Sequence, residues 1–394
     1  MREYLLQIAL RKAEVIRERL SETTLQPLRE KAREEWIPYK PEPREPESTA
    51  GVDGSNNSIE FKGITLYAVL GYALAKRKQG VSEHLVGDID ILYPPGIAER
   101  IRLLREIAET KTALLVSDVE VLLIDGSIRS LLIQPRPLAR YFVLDRAIDE
   151  AVEILGGNVF NEIYERIRRQ VDTDPETWQD PFVSKTLVLE NNLTTEDTEP
   201  LVVLLEYIEK LLSLRLLLEK RMKLDEWPKT IYVSKTSRSQ LYFKHLRENL
   251  GIPVPSDILV FTYFTSKAGY SKPRLSEEES IKQLPSKAGL RTLLGEFFDK
   301  ISFIVSYARL EDHGPVLKLE IPVEKKIIGD PSSLTEIVRE AVNYISYISV
   351  NGYPYTLIEA DKSSKITRDD IIRLAHILGL LPRLTGREVL EEWI

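Results

Sequence analysis

Between residues 50 and 127 the chain alternates in a way that few fold classes accept. Three β-rich runs come first, at Ala50-Gly51-Val52-Asp53, Ile64 to Leu70, and Leu85 to Tyr93. An amphipathic stretch from about Ile97 to Leu115 follows, with Ile101, Leu104, Ile107 and Ala108 spaced to share one helical face. The apolar run Val119 to Asp125 then reads as a buried strand. Strand periodicity that passes into helix and back predicts an α/β chain, not a helical bundle or an all-β sandwich. At 394 residues the chain has room for one large core with insertions, or for two or three domains.

The flanking segments fit the first arrangement. Arg2 to Glu35 is helical in pattern, with Pro27 expected to split it, and four prolines between Pro38 and Pro46 predict an extended connector. Residues 1–48 thus read as a helical arm and linker, and 49–394 as the main body. Residues 139–171 and 199–222 are helical, with a polar loop expected over 172–198, so that 139–225 forms a helical insertion. Sheet character returns at Thr230–Lys235, Ile258–Phe264, Ile301–Tyr307 and Val316–Val323. The last part predicts a helix over 334–348, a strand-like Tyr355–Ile358, and a helix over 368–380.

Composition closes several doors. With no cysteine there are no disulfides, zinc-thiolate sites or cysteine nucleophiles. Two methionines against 54 Lys+Arg and 61 Asp+Glu suit a high-temperature host. No run approaches the roughly 18 apolar residues of a membrane span, and Met1–Gln7 lacks a secretory leader, so a cytoplasmic protein is expected. The histidines His84, His245, His313 and His376 are far apart, with no zinc-ligand spacing; His376 falls on an apolar helix face and reads as a core residue. No P-loop and no G-x-S-x-G elbow is present, so ATP-driven movement needs a partner. The net charge of −7 does not advertise nucleic-acid binding, although an acidic metal-dependent nuclease is compatible with it.

A repeated Asp-Gly-Ser carries the chemistry. Asp53 and Asp125 each read as the end of a strand that breaks into a turn, where α/β sheets hold ligands. A single Asp-Gly is usually just a turn. Two copies flanking a helix with Glu99, Glu106 and Glu109 are what a divalent cation and a phosphate require, since Mg²⁺ and Mn²⁺ prefer oxygen donors. A solvated helix face is the competing reading of those glutamates.

Gly51-Val52-Asp53-Gly54-Ser55, an acidic helix, and Leu122-Leu123-Ile124-Asp125-Gly126-Ser127 together resemble the NurA nucleases. So do Ile231-Tyr232-Val233-Ser234-Lys235-Thr236-Ser237 and Gly352-Tyr353-Pro354-Tyr355-Thr356-Leu357-Ile358-Glu359-Ala360. The resemblance implies an RNase H-like mixed sheet flanked by helices and a metal-dependent deoxyribonuclease of archaeal type. It also implies Mn²⁺ or Mg²⁺ as cofactor, a homodimer, and a HerA-type hexameric translocase as partner in DNA end resection and recombinational repair. A 5′–3′ exonuclease and/or single-strand endonuclease is the activity implied. Carried over, Asp53, Asp125 and Glu106 are the metal-binding carboxylates, with Glu109 the alternative to Glu106. Lys235 and Tyr353 would meet DNA, against an ordinary surface lysine and a core tyrosine. Where the family has an Ala-His pair this chain has Ala360-Asp361, so Asp361 is either a further ligand or the mark of a catalytically weak NurA-like subunit. The Arg2–Glu35 arm and the C-terminal helices are candidate dimer or translocase contacts.

Overall fold

The computed structural model describes every residue except 1, 20–21, 62, 94–95, 140, 194–197, 223–226, 247–255, 277–283, 330 and 381–394. Its frame is a ten-stranded mixed sheet. Strands β2 (Thr49–Phe61), β3 (Ile64–Arg77) and β4 (Gly80–Leu92) form an antiparallel meander. Helix α3 (Ile97–Leu115) crosses back, so that β5 (Val121–Asp125) lies parallel to β2. A short helix, α4 (Ile128–Leu131), opens the helical insertion α5 (Tyr141–Leu155), α6 (Val159–Val171), α7 (Val183–Glu190) and α8 (Glu199–Arg221). Strand β6 (Thr230–Ser234) then runs parallel to β5.

The sheet continues antiparallel. After α9 (Asp257–Phe264) come β7 (Gly269–Ser271), β8 (Arg274–Ser276), β9 (Ile301–Arg309) and β10 (Leu317–Glu324), with β10 beside β6 and β9 beside β10. Helix α10 (Pro331–Ile348), the small hairpin β11 (Ser349–Val350) and β12 (Tyr353–Pro354), and helices α11 (Tyr355–Ser364) and α12 (Arg368–Ile377) complete the described chain. A mixed sheet flanked by helices is therefore the observed architecture, as expected.

Alternate residues of the central strands face two cores. Val52, Leu122, Ile124 and Tyr232 pack under the insertion, where α8 is buried nearly all round. Leu123, Ile231, Val233 and Leu319 pack under α10 and Leu357 of α11. The N-terminal segment is docked on this body. Helix α2 (Glu22–Glu35) contains Pro27, which does not split it, and buries Leu28 and Ala32 with Tyr242 and Phe261. Strand β1 (Trp36–Pro38) joins the sheet edge at β7, and the proline-rich stretch is held by Asn343, whose Oδ1 accepts from Tyr39 Oη and Glu42 N–H, both at 2.9 Å. Helix α1 (Arg2–Arg19) instead presents Tyr4, Leu5, Leu6 and Leu10 to solvent.

Several sequence expectations give way. β2 does not turn at Asp53-Gly54 but continues to Phe61, because β3 pairs with it along its whole length. Ile258–Phe264 and Tyr355–Ile358 are helical: short apolar runs carry no period that separates helix from strand, and packing decides. Helix α7 occupies part of the expected loop over 172–198. His376 is exposed on α12, not in a core.

Helix α3 is tied to α8 by a row of ion pairs: Arg100–Glu206 at 2.7 Å, Glu106–Lys210 at 3.1 Å and Lys111–Glu209 at 2.6 Å. Lys111 and Glu209 are wholly buried, and Glu209 also accepts from the backbone of Val183 and Ser184. Lys111→Met strands that carboxylate, and urea unfolding should register a loss of about 3–5 kcal/mol.

Candidate metal centre

Asp125 ends β5, and here the turn expected from Asp-Gly-Ser is real. Gly126 has φ 108°, its N–H donates to Val233 O at 2.9 Å, and its carbonyl accepts from Ser234 Oγ at 2.6 Å. Ser127 Oγ donates to the buried Glu320 at 2.6 Å, which pins the turn to β10. Asp53 reaches the same place differently. The last β2–β5 pair is Val52 with Ile124, so Asp53 is the first residue of β2 beyond its parallel neighbour.

The two glycines around Asp53 serve close approach, not turning. A Cβ on Gly51 would stand 2.5 Å from the Thr356 carbonyl carbon, so only glycine lets α11 settle on β2. A Cβ on Gly54 would stand 3.0 Å from Glu109 Oε2 and 3.1 Å from Glu109 Cβ, so that position admits α3. Each helix thereby delivers a carboxylate towards Asp53. From α11 comes Asp361: carboxylate oxygens of Asp53, Asp125 and Asp361 all lie within 4.8 Å of one another. From α3 comes Glu109, half-buried and electrostatically coupled to Asp53 and Asp125.

Glu106, the glutamate singled out from sequence, is turned elsewhere. It is buried against Lys210 and approached by Arg102 at 3.5 Å, and it does not join the acidic group. Glu99 likewise pairs with Arg102 at 2.7 Å. Glu106 and Glu109 are only about 60° apart around the helix axis, and their partners separate them: Lys210 of α8 claims the first, while the second lies against Gly54.

Lys235 and Tyr353 converge on the cluster. Lys235 Nζ stands 3.9 Å from Asp125, 4.0 Å from Asp361, and 4.3 Å from the centre of the Tyr353 ring. Tyr353 is 8% exposed, and its buried hydroxyl has no hydrogen-bond partner among the described residues. Among the described residues no histidine belongs to the cluster. The first Asp-Gly therefore marks a member of the acidic cluster, while the role of its glycines and of Glu109 required the helices.

Crowded carboxylates raise one another. Burial, then Asp125 and Asp361, push Asp53 up to about 6. Burial also raises Asp125, with Lys235 opposing. Glu109 is held well above the usual carboxylate range by burial and by both aspartates, against Arg105. Burial and the aspartates raise the Tyr353 hydroxyl as well, keeping it a donor. An all-oxygen set whose charges are unfavourable without a cation, beside an unused buried hydroxyl, fits a hard divalent metal such as Mn²⁺ or Mg²⁺.

Residues 47–366 match the family described as NurA domain. The chain belongs to the NurA family. It is 28% identical over 370 residues to the probable DNA double-strand break repair nuclease NurA of Methanocaldococcus jannaschii, covering 89% of this chain and 83% of that protein. It is 24% identical to the DNA double-strand break repair nuclease NurA of Sulfurisphaera tokodaii, covering 92% and 89%. Its fold is similar to the crystal structure of the NurA nuclease from Sulfolobus solfataricus, with TM-score 0.64 and 19% identity over 96% of each chain. A NurA bound to dAMP and manganese aligns with TM-score 0.64 and 16% identity over 98% of this chain and 97% of that one.

Two outcomes follow from the geometry. Gly51→Ala should lift α11 and Asp361 away from Asp53, and thermal unfolding should show a smaller rise on adding Mn²⁺ than the wild type shows. In metal-free protein, Asp53 titrates near 6 against an ordinary 3.8, so the stability it contributes is present below its unfolded value and lost as pH rises through 6. Asp53→Asn escapes that loss. Its melting temperature in EDTA, relative to wild type, should rise from about pH 4 to about pH 7.

Proposed function

We propose that this NurA-family chain is a metal-dependent DNA nuclease of break repair, with Asp53, Asp125, Asp361 and Glu109 as its cation-binding carboxylates. The observation that carries the reading is the convergence of three aspartates within 4.8 Å around a single lysine. Such a cluster destabilises the protein unless a cation offsets it. The names of the relatives support the same reaction, and a related NurA holds both manganese and dAMP.

Bound at these oxygens, Mn²⁺ or Mg²⁺ supplies Lewis acidity, lowers the pKa of water and offsets charge on the phosphate. The protein's own groups do the rest. Asp53 and Asp125 arrive from a rigid sheet, which fixes their separation before substrate enters. Lys235 is a point charge for the phosphodiester, held over the Tyr353 ring and near Asp125 and Asp361. The unused Tyr353 hydroxyl is a donor for a phosphate oxygen or for the attacking water. Glu109, which feels both aspartates and Arg105, adds a fourth carboxylate for the cation.

The fuller reading, supported by the family resemblance, is a homodimer that works with a HerA-type hexameric translocase in DNA end resection, as a 5′–3′ exonuclease and/or single-strand endonuclease. Asp361 in place of the family histidine favours one second reading, a catalytically weak subunit that binds DNA or docks on the translocase.

Cleavage of end-labelled single- and double-stranded DNA with Mn²⁺, Mg²⁺ or EDTA, with and without the HerA-type ATPase, separates the two. Asp53→Asn and Asp125→Asn should each lower metal-dependent cutting by at least about 100-fold, the scale of losing a principal electrostatic group. Glu109→Gln should follow them, whereas Glu106→Gln should mainly lower the melting temperature. DNA binding without cutting under every condition establishes the weak-subunit reading instead.

A further inference from the structure

Beyond Asp361, helix α11 leads to a feature that the metal centre does not use. A cleft of about 420 Å³ lies where α12 and the end of α11 meet β3 and β4. Ala68, Leu70, Ile89, Ile366 and Leu374 make it largely apolar, and Lys365 also lines it. That volume is within the range of small-ligand sites.

Two acidic residues line it as well, and both are engaged. The Asp88 carboxylate accepts from Tyr67 Oη at 2.7 Å and from Lys185 at 2.9 Å. Asp370 accepts from the backbone N–H and hydroxyl of Thr367, at 2.8 and 2.6 Å, in a capping box. The two lysines at the approach are not engaged in this way. Lys362 and Lys365 are exposed, and neither has an ion pair among the described residues. Lys362 follows Asp361 on α11, and Lys365, four positions after Asp361, is the residue at which that helix ends in extended backbone. The end of α11, with these two exposed lysines, thus stands between Asp361 and the cleft in the chain.

Single-stranded nucleic acid needs cations along its backbone and an apolar surface for its unpaired base faces; the two lysines and the aliphatic lining of the cleft offer both. A paired and stacked base has no free face to lay against that lining. We propose that the cleft is a nucleotide subsite that takes one unpaired base of single-stranded DNA, with Lys362 and Lys365 holding the phosphates that lead to it from the metal centre. The proposal rests on the nuclease reading and deepens it by assigning the substrate strand.

Binding of a fluorescein-labelled oligothymidylate in EDTA, followed by anisotropy over a range of salt, tests the subsite. Hydrolysis of thymidine 5′-(4-nitrophenyl phosphate) with Mn²⁺, a substrate too short to reach the cleft, tests the reaction separately. The double variant Lys362→Glu/Lys365→Glu should bind the oligonucleotide about tenfold or more weakly, and the log–log salt slope should fall by about 1.4, at about 0.7 per lost phosphate contact. Leu70→Trp, which fills the cleft, should weaken binding with the salt slope kept. In both variants the loss on oligonucleotide cleavage should exceed the loss on the ester by about tenfold. Wild-type affinity in the double variant, or an equal loss from Lys12→Glu on distant α1, overturns the subsite. A wild-type protein that binds oligonucleotide but hydrolyses neither substrate removes the nuclease reading and leaves the binding assay to judge the cleft.

Discussion

Asp53 lies between two close approaches of helix to strand, and the site depends on both. On one face of the sheet α11 rests on Gly51; on the other α3 rests against Gly54. Without side chains at those positions the helices come near enough to bring Asp361 within 4.8 Å of the Asp53 carboxylate on the central strand and Glu109 into its field. A methyl group at Gly51 is incompatible with the observed position of α11, because the atom it meets is backbone and cannot rotate away. The carboxylates are therefore gathered by backbone contact, which is stiffer than side-chain packing.

Gathering them carries an electrostatic cost that the rest of the fold absorbs. Lys235 stands close to two of the aspartates and Arg105 acts on Glu109 and Asp125, yet two cations face four carboxylates. The remaining repulsion is held in place by the sheet, whose β5 end is pinned by Ser127 to Glu320 and by Ser234 to Gly126. Beneath α3 the helical insertion adds a second restraint. Three ion pairs to α8 set the rotation of α3, and with it which glutamate faces the sheet. A buried ion pair is a weak source of net stability but a strong constraint on register, because any other rotation leaves a charge unpaired.

The remaining parts extend this core. The N-terminal helix α2 and the strand that follows it close the far edge of the sheet through Trp36 and β1. At the opposite side α12 covers the long hairpin of β3 and β4, and the apolar cleft lies in that corner, where α11 ends. The acidic cluster and the cleft are thus linked by α11, which carries Asp361 and ends just before Lys365.

Much was legible in the sequence because it was local. The order of strands and helix over 50–127 follows from apolar periodicity, and Asp125-Gly126 is a turn because only glycine tolerates its backbone there. The residue types of an oxygen-donor site are visible in Asp53, Asp125 and the glutamates of α3. Three things were not local. That Asp53-Gly54 continues a strand depends on β3, which pairs along its whole length. That Ile258–Phe264 and Tyr355–Ile358 are helices depends on what they pack against, since short apolar runs have no decisive period. That Glu109 and not Glu106 faces the aspartates depends on Lys210, more than a hundred residues further along the chain. The sequence by itself determined which groups and which backbone freedoms were available; the tertiary structure decided which of them meet, because helix rotation and strand pairing are set by distant partners.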